Sequence, residues 1–96
     1  MDLNTILKTA FESDASDVHL IAGQPPMCRI HQVMTKMDFP VISPENAEKF
    51  FKQMASKEAQ GTFEKVKDAD FSYLVEGMSR YRVNAHMQRG VIGLAM

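Results

Sequence analysis

The sequence predicts an α+β domain whose helices are segregated from one antiparallel sheet, in the order helix, three strands, two helices, three strands. Three observations lead there. Apolar residues recur at helical spacing near the start of the chain and twice across its middle. Six short segments alternate with period two, and glycines, prolines or polar residues separate them. These strand segments fall into two runs of three with two helices between them, all within 96 residues, the length of a single domain.

Leu3, Ile6, Leu7, Ala10 and Phe11 fall at i, i+3, i+4, i+7 and i+8, one apolar stripe on a first helix. Asp2 is placed to cap that helix and to meet the positive end of its dipole. The polar side carries only one lysine, Lys8, so the stripe reads as docking on a sheet rather than on a membrane surface. A short strand follows over 17–21. It places His19 on the face opposite Val18, and Asp17 is expected to satisfy backbone donors between the helix and the strand. Ala22-Gly23-Gln24-Pro25-Pro26 forms a rigid turn that stops the ladder. Residues 27–31 resume the alternation, with Cys28 and Ile30 inward and Arg29 and His31 outward. After a tight reversal, 32–37 make a third strand and complete a meander.

Ser43-Pro44-Glu45 announces a helix, with serine as N-cap and proline at its first position. Ala47, Phe50, Phe51 and Met54 give that helix its apolar face. Ser56 is a second N-cap, and Ala59, Phe63 and Val66 continue a stripe through another short helix. Gly61 weakens this helix by about 1 kcal/mol relative to alanine. Residues 70–75 alternate as a strand, and Glu76-Gly77-Met78 turns the chain into a hairpin. The final apolar strand covers 91–96. Because it runs to the last residue, the sequence is expected to be a piece of a longer protein.

The second arm of the hairpin, Ser79 to Gly90, carries the chemistry. Tyr81, Val83, Ala85 and Met87 fall on one face. Arg80, Arg82, Asn84, His86 and Gln88 fall on the other, and Arg89 and Gly90 close the segment. Three of the four arginines in the chain lie here, the fourth being Arg29. Two readings stand side by side: a solvated polar face, as antiparallel sheets commonly have, or a row of donors for phosphate or carboxylate oxygens, which guanidinium groups match in a bidentate way.

The formal net charge of -1, from 11 basic and 12 acidic residues, is not that of a nucleic-acid binder, so any anion site must be local. Cys28 is the only cysteine, which excludes an internal disulfide and points to a reducing compartment. Nothing near it would depress its pKa, so it reads as a core residue. No apolar run approaches the ~20 residues of a membrane span, and the N-terminus lacks the layout of a secretory signal. The expected location is the cytoplasm. His19, His31 and His86 lie on different strands without metal-ligand spacing, so no metal is expected. There is no G-x-x-x-x-G-K-[ST] loop, and the chain has no visible means of hydrolysing a nucleotide by itself.

Three segments, taken in order, resemble one family. Ala15-Ser16-Asp17-Val18-His19-Leu20 and Gly23-Gln24-Pro25-Pro26-Met27-Cys28-Arg29-Ile30 are similar to the opening of the PilT-like type IV pilus retraction ATPases. Asp70-Phe71-Ser72-Tyr73, with Arg80-Tyr81-Arg82-Val83-Asn84 and Gln88-Arg89-Gly90, is similar to that family's "DFSY … RFRVN … QRG" signature. One departure is His31-Gln32-Val33, where the family usually has a glycine in the turn. Relatives in pilus assembly and type II secretion share the "SD-x-H" element, so the paralogue is left open.

The resemblance implies that residues 1–96 are the PAS-like N-terminal domain of a hexameric secretion-type ATPase, with helices on one face of an antiparallel sheet. The RecA-like catalytic domain, with its ATP and Mg, would begin beyond Met96, and no cofactor is expected in this piece. The implied partners are RecA-like domains of the same and a neighbouring subunit in a homo-hexamer, and the inner-membrane platform of the pilus, to which the motor would be peripheral; nucleic acid is not among them. By position, Arg80, Arg82 and Arg89 are the implied contacts to nucleotide phosphates, and no residue here is catalytic. Two alternatives remain. A PAS-like small-ligand sensor could use Met27, Met34, Met37, Met54 and Met87 to line an adaptable pocket. A stand-alone interaction module could pair through its last strand, if that strand left an edge open.

Overall fold

The computed structural model describes residues 1–96. The elements form in the expected order: α1 (Leu3–Glu12), β1 (Asp17–Ile21), β2 (Met27–Ile30), β3 (Val33–Lys36), α2 (Pro44–Met54), α3 (Lys57–Val66), β4 (Asp68–Val75), β5 (Ser79–Gln88) and β6 (Val91–Ala95). Each helix starts at the cap its sequence announces. Asp2 accepts from the Thr5 amide at 3.0 Å, Ser43 from that of Asn46 at 3.0 Å, and Ser56 from that of Ala59 at 3.1 Å. Such a cap satisfies an otherwise orphaned donor and contributes about 1 kcal/mol.

The six strands form one sheet in the order β3-β2-β1-β6-β5-β4, antiparallel throughout. This corrects one expectation. The last strand is no open edge: β6 lies between β1 and β5, and the edges are β3 and β4. An interaction module that pairs through its last strand is therefore excluded, because both sides of β6 are already hydrogen-bonded.

All three helices cover the same face of the sheet. One row across it runs Leu20, Leu94, Ala85 and Ala69, and these side chains join Leu3, Ile6, Leu7 and Ala10 of α1, Phe50 and Phe51 of α2, and Phe63 of α3 in a single buried cluster. Phe51 packs on Phe63 and Phe71 at ring-centroid distances of 4.8 and 6.0 Å. Tyr73 ties the layers together at their rim, donating to Asn4 Oδ1 at 3.0 Å and accepting from Gln53 at 3.2 Å.

Three apolar residues depart from their expected faces. Phe11 and Val66, at the C-terminal ends of the stripes on α1 and α3, are exposed; so is Met87, near the end of β5. The methionines proposed for a pocket scatter: Met37 and Met54 are buried in the core, Met34 and Met87 are exposed, and Met27 lies on the opposite face of the sheet in register with His19. That dispersal leaves no single pocket lined by these methionines.

The turn after β2 forms without glycine. Ile30 pairs with Val33, and His31 and Gln32 both take left-handed conformations, with φ of 49° and 69°. The β5–β6 turn has the same handedness, with Arg89 at φ 53° and Gly90 at φ 82°. Two positive-φ residues match the twist of a two-residue hairpin, at a cost of roughly 1–2 kcal/mol for each residue that is not glycine.

Candidate anion-facing surface

The face of the sheet without helices is polar. Its central row runs Lys36, Met27, His19, Ala95, Asn84 and Asp70 across all six strands. On β6 this face carries only Gly93 and Ala95 near the middle, so the side chains of β1 and β5 rise on either side of a low floor. Over Ala95 there is an open cleft of about 300 Å³, with Asp17 and His19 on one wall and Arg82, Asn84 and Asp70 on the other.

The β1 wall is an ion-pair cluster. His19 Nε2 lies 2.9 Å from Asp17 Oδ2, and Arg29 Nε lies 3.3 Å from Asp17 Oδ1. Ser16 donates its hydroxyl to Asp17 Oδ1 at 2.7 Å. The Ser16 hydroxyl first, then His19, hold the Asp17 carboxyl below its usual range; desolvation opposes them, and Arg29 adds a lesser lowering effect. Asp17 thus serves side-chain donors, where backbone donors were expected. His19 does point away from Val18, as its place in the alternation requires. Arg29 went unassigned in the sequence, although a signal was there: a hairpin centred on Gly23 sets Asp17 opposite Arg29, which is the register observed. Burial, then the charge of Asp17, raise the pKa of the Cys28 thiol, which keeps it protonated and inert.

The β5 wall is different. Arg80 and Arg82 pair through their backbones with Leu74 and Ser72 of β4, while the β5–β6 register begins at Asn84 opposite Ala95. Both arginine side chains are exposed and neither enters a salt bridge. They flank a second open cleft of about 470 Å³, whose other wall is Asp14, Ala15 and Ser16. The two arginines share a face, as the alternation predicts. Arg89 is not with them. It sits in the β5–β6 turn, seven residues from Arg82 and so about 24 Å away along the strand.

No family model matches the chain. Over 88 residues, 92% of this chain, it is 32% identical to the type IV pilus retraction ATPase PilT of Pseudomonas aeruginosa. It superposes on the crystal structure of the pilus retraction motor PilT with bound ADP at a TM-score of 0.92, over 99% of its length and with 36% identity. The chain fits the N-terminal domain of a PilT-like ATPase. It spans 26% of the Pseudomonas PilT and 28% of the crystallised one, about a quarter of either. The ATPase DotB of Legionella pneumophila shares the fold, with a TM-score of 0.82 over 97% of this chain at 22% identity. The PilT-like resemblance and the α+β fold expected from the sequence both hold. The departure at His31-Gln32 leaves the hairpin itself intact.

Proposed function

We propose that this chain is the N-terminal regulatory and coupling domain of an ATP-driven motor for type IV pilus retraction. In this reading Arg80 and Arg82 reach the phosphates of a nucleotide held by the RecA-like domain of a neighbouring subunit in a homo-hexamer. The observation that carries it is the pair of exposed, unpaired guanidinium groups on one face of β5, in a chain that fits a PilT-like N-terminal domain. A guanidinium brought to the developing charge of phosphoryl transfer stabilises it by bidentate hydrogen bonds, and being positively charged throughout it needs no proton transfer to do so.

ATP and Mg belong to the catalytic domain of the longer protein, and this domain supplies only charge and position. Arg89, about 24 Å from Arg82, then makes a separate phosphate contact, or acts on a different nucleotide of the ring. The motor works at the cytoplasmic base of the pilus, peripheral to the inner membrane and against its platform protein. No helix of the chain is long and apolar enough to cross a membrane.

The test uses the full-length motor. Arg82→Ala is expected to lower ATP turnover by at least about tenfold, in the direction of the 10²–10³ lost when a transition-state donor is removed, with the circular dichroism of the domain unchanged. Unchanged turnover in a folded variant would overturn the assignment of Arg82.

A further inference from the structure

Two carboxylates line the cleft beside Arg82, yet neither pairs with it. One of them, Asp17, is engaged by Ser16, His19 and Arg29. The other, Asp70, is the more telling case. It lies opposite Asn84 on β5, and Ser72 lies opposite Arg82, so Asp70 and Arg82 are diagonal neighbours on one face. Diagonal neighbours are roughly 7–8 Å apart, a gap that a long guanidinium side chain closes easily. Opposite charges so placed are within reach of one another, and a donor that already occupies the carboxylate weakens its pull on the guanidinium.

The donor is the Asn84 amide. Its nitrogen lies 2.9 Å from Asp68 Oδ1 and 3.4 Å from Asp70 Oδ1, bridging the two carboxylates of β4. Two acceptor-only carboxylates require the NH2 end of the amide to face them, and its oxygen then lies 3.3 Å from His86 Nδ1. The His86 ring in turn lies over Gly93, where a Cβ would come within 2.7 Å of Nε2. Gly93 is therefore the seat of the imidazole, the imidazole lies against the amide oxygen, and the amide nitrogen bridges the acids.

We infer that Asn84 is a positioning residue: by holding the carboxylates of Asp68 and Asp70 it leaves Arg82 unpaired and ready for an anionic partner. This rests on the phosphate-contact reading of Arg82 and adds how that arginine is kept available. An arginine already paired would have to break that pair before meeting a phosphate, whereas a preorganised one meets it without that loss.

The experiment follows the Arg82 Nε–Hε group by NMR in the 96-residue chain, without nucleotide. In the unmodified chain this proton is expected to exchange with water as freely as in a solvated side chain. Asn84→Thr, which suits a strand but cannot bridge the acids, should slow that exchange as Arg82 pairs with Asp70. Adding Asp70→Asn should restore the original rate, a rescue that a merely structural role for Asn84 would not give. Asn84→Ala serves as the second variant should the threonine chain not fold. Protection of Arg82 in the unmodified chain, or an unchanged rate in a folded Asn84 variant, would overturn the inference. Since no nucleotide enters, such a failure leaves the phosphate reading standing, and unchanged turnover in the Arg82→Ala motor would sink that reading alone.

Discussion

The two faces of the sheet are built from the same strands, residue by alternate residue, and are held by different physics. On the covered face, twenty-one buried apolar residues form one cluster, and what matters at each position is volume and removal from water. On the open face, what matters is which donor meets which acceptor: Asp17 with Arg29 and His19, Asn84 with Asp68 and Asp70. The contrast teaches where stability and binding capacity reside. The covered face holds the fold together, and the open face pairs some of its charges while Arg80 and Arg82 stand exposed and outside any salt bridge.

Substitutions on matched positions would break or sharpen this contrast. The largest effect is expected at Leu94, fully buried between Leu20 and Ala85. Leu94→Ala should cost about 2–5 kcal/mol in urea denaturation, and a loss far below that would mean the covered face is loosely packed. Its neighbour Gly93 faces the other way. Gly93→Ala should shift stability by no more than about 1 kcal/mol, since the His86 ring can swing outward, yet it should move the His86 and Asn84 side-chain resonances together. If those resonances stay in place, the imidazole is not seated on the glycine.

The smallest effect is expected at Asp17, and it carries a pH signature. The folded chain holds this carboxyl below its ordinary value, so the unfolded chain binds its proton more tightly. The stabilisation is therefore present above the unfolded value near 3.9 and is lost as the pH falls through the lowered folded value. Asp17→Asn should be less stable than the unmodified chain at neutral pH by well under about 1 kcal/mol, because the pair is partly exposed and screened. That gap should close in acid, and a gap that persisted at low pH would show that Asp17 acts through packing.

Much of the covered face was legible in the sequence. Periods of 3.6 and 2 assigned helices and strands, and Asp2, Ser43 and Ser56 marked the helix starts. Phe11 and Val66 escaped because periodicity says which way a side chain points and nothing about how far the partner surface extends. The neighbours of β6 escaped for a related reason: alternation assigns faces within a strand, while pairing between distant strands depends on the closure of the whole sheet. The open face was legible in its exposed arginines and illegible in its hydrogen bonds. Arg29 and Asn84 gain their roles only from registers that bring them to Asp17 and Asp70.

The position of β6 also sets the order of events on the ribosome. Strands β1 to β3 and strands β4 and β5 meet in the sheet only through residues 91–95. While the chain is being synthesised, the two ribbons can each form early, but the sides of β1 and β5 that will flank β6 stay unpaired until this segment clears the exit tunnel. The segment that unites them is a five-residue strand, Val91-Ile92-Gly93-Leu94-Ala95, that carries no charge and contributes Leu94 to the core. In a nascent domain of this topology the sheet itself stays in two parts until the strand between them arrives and joins them.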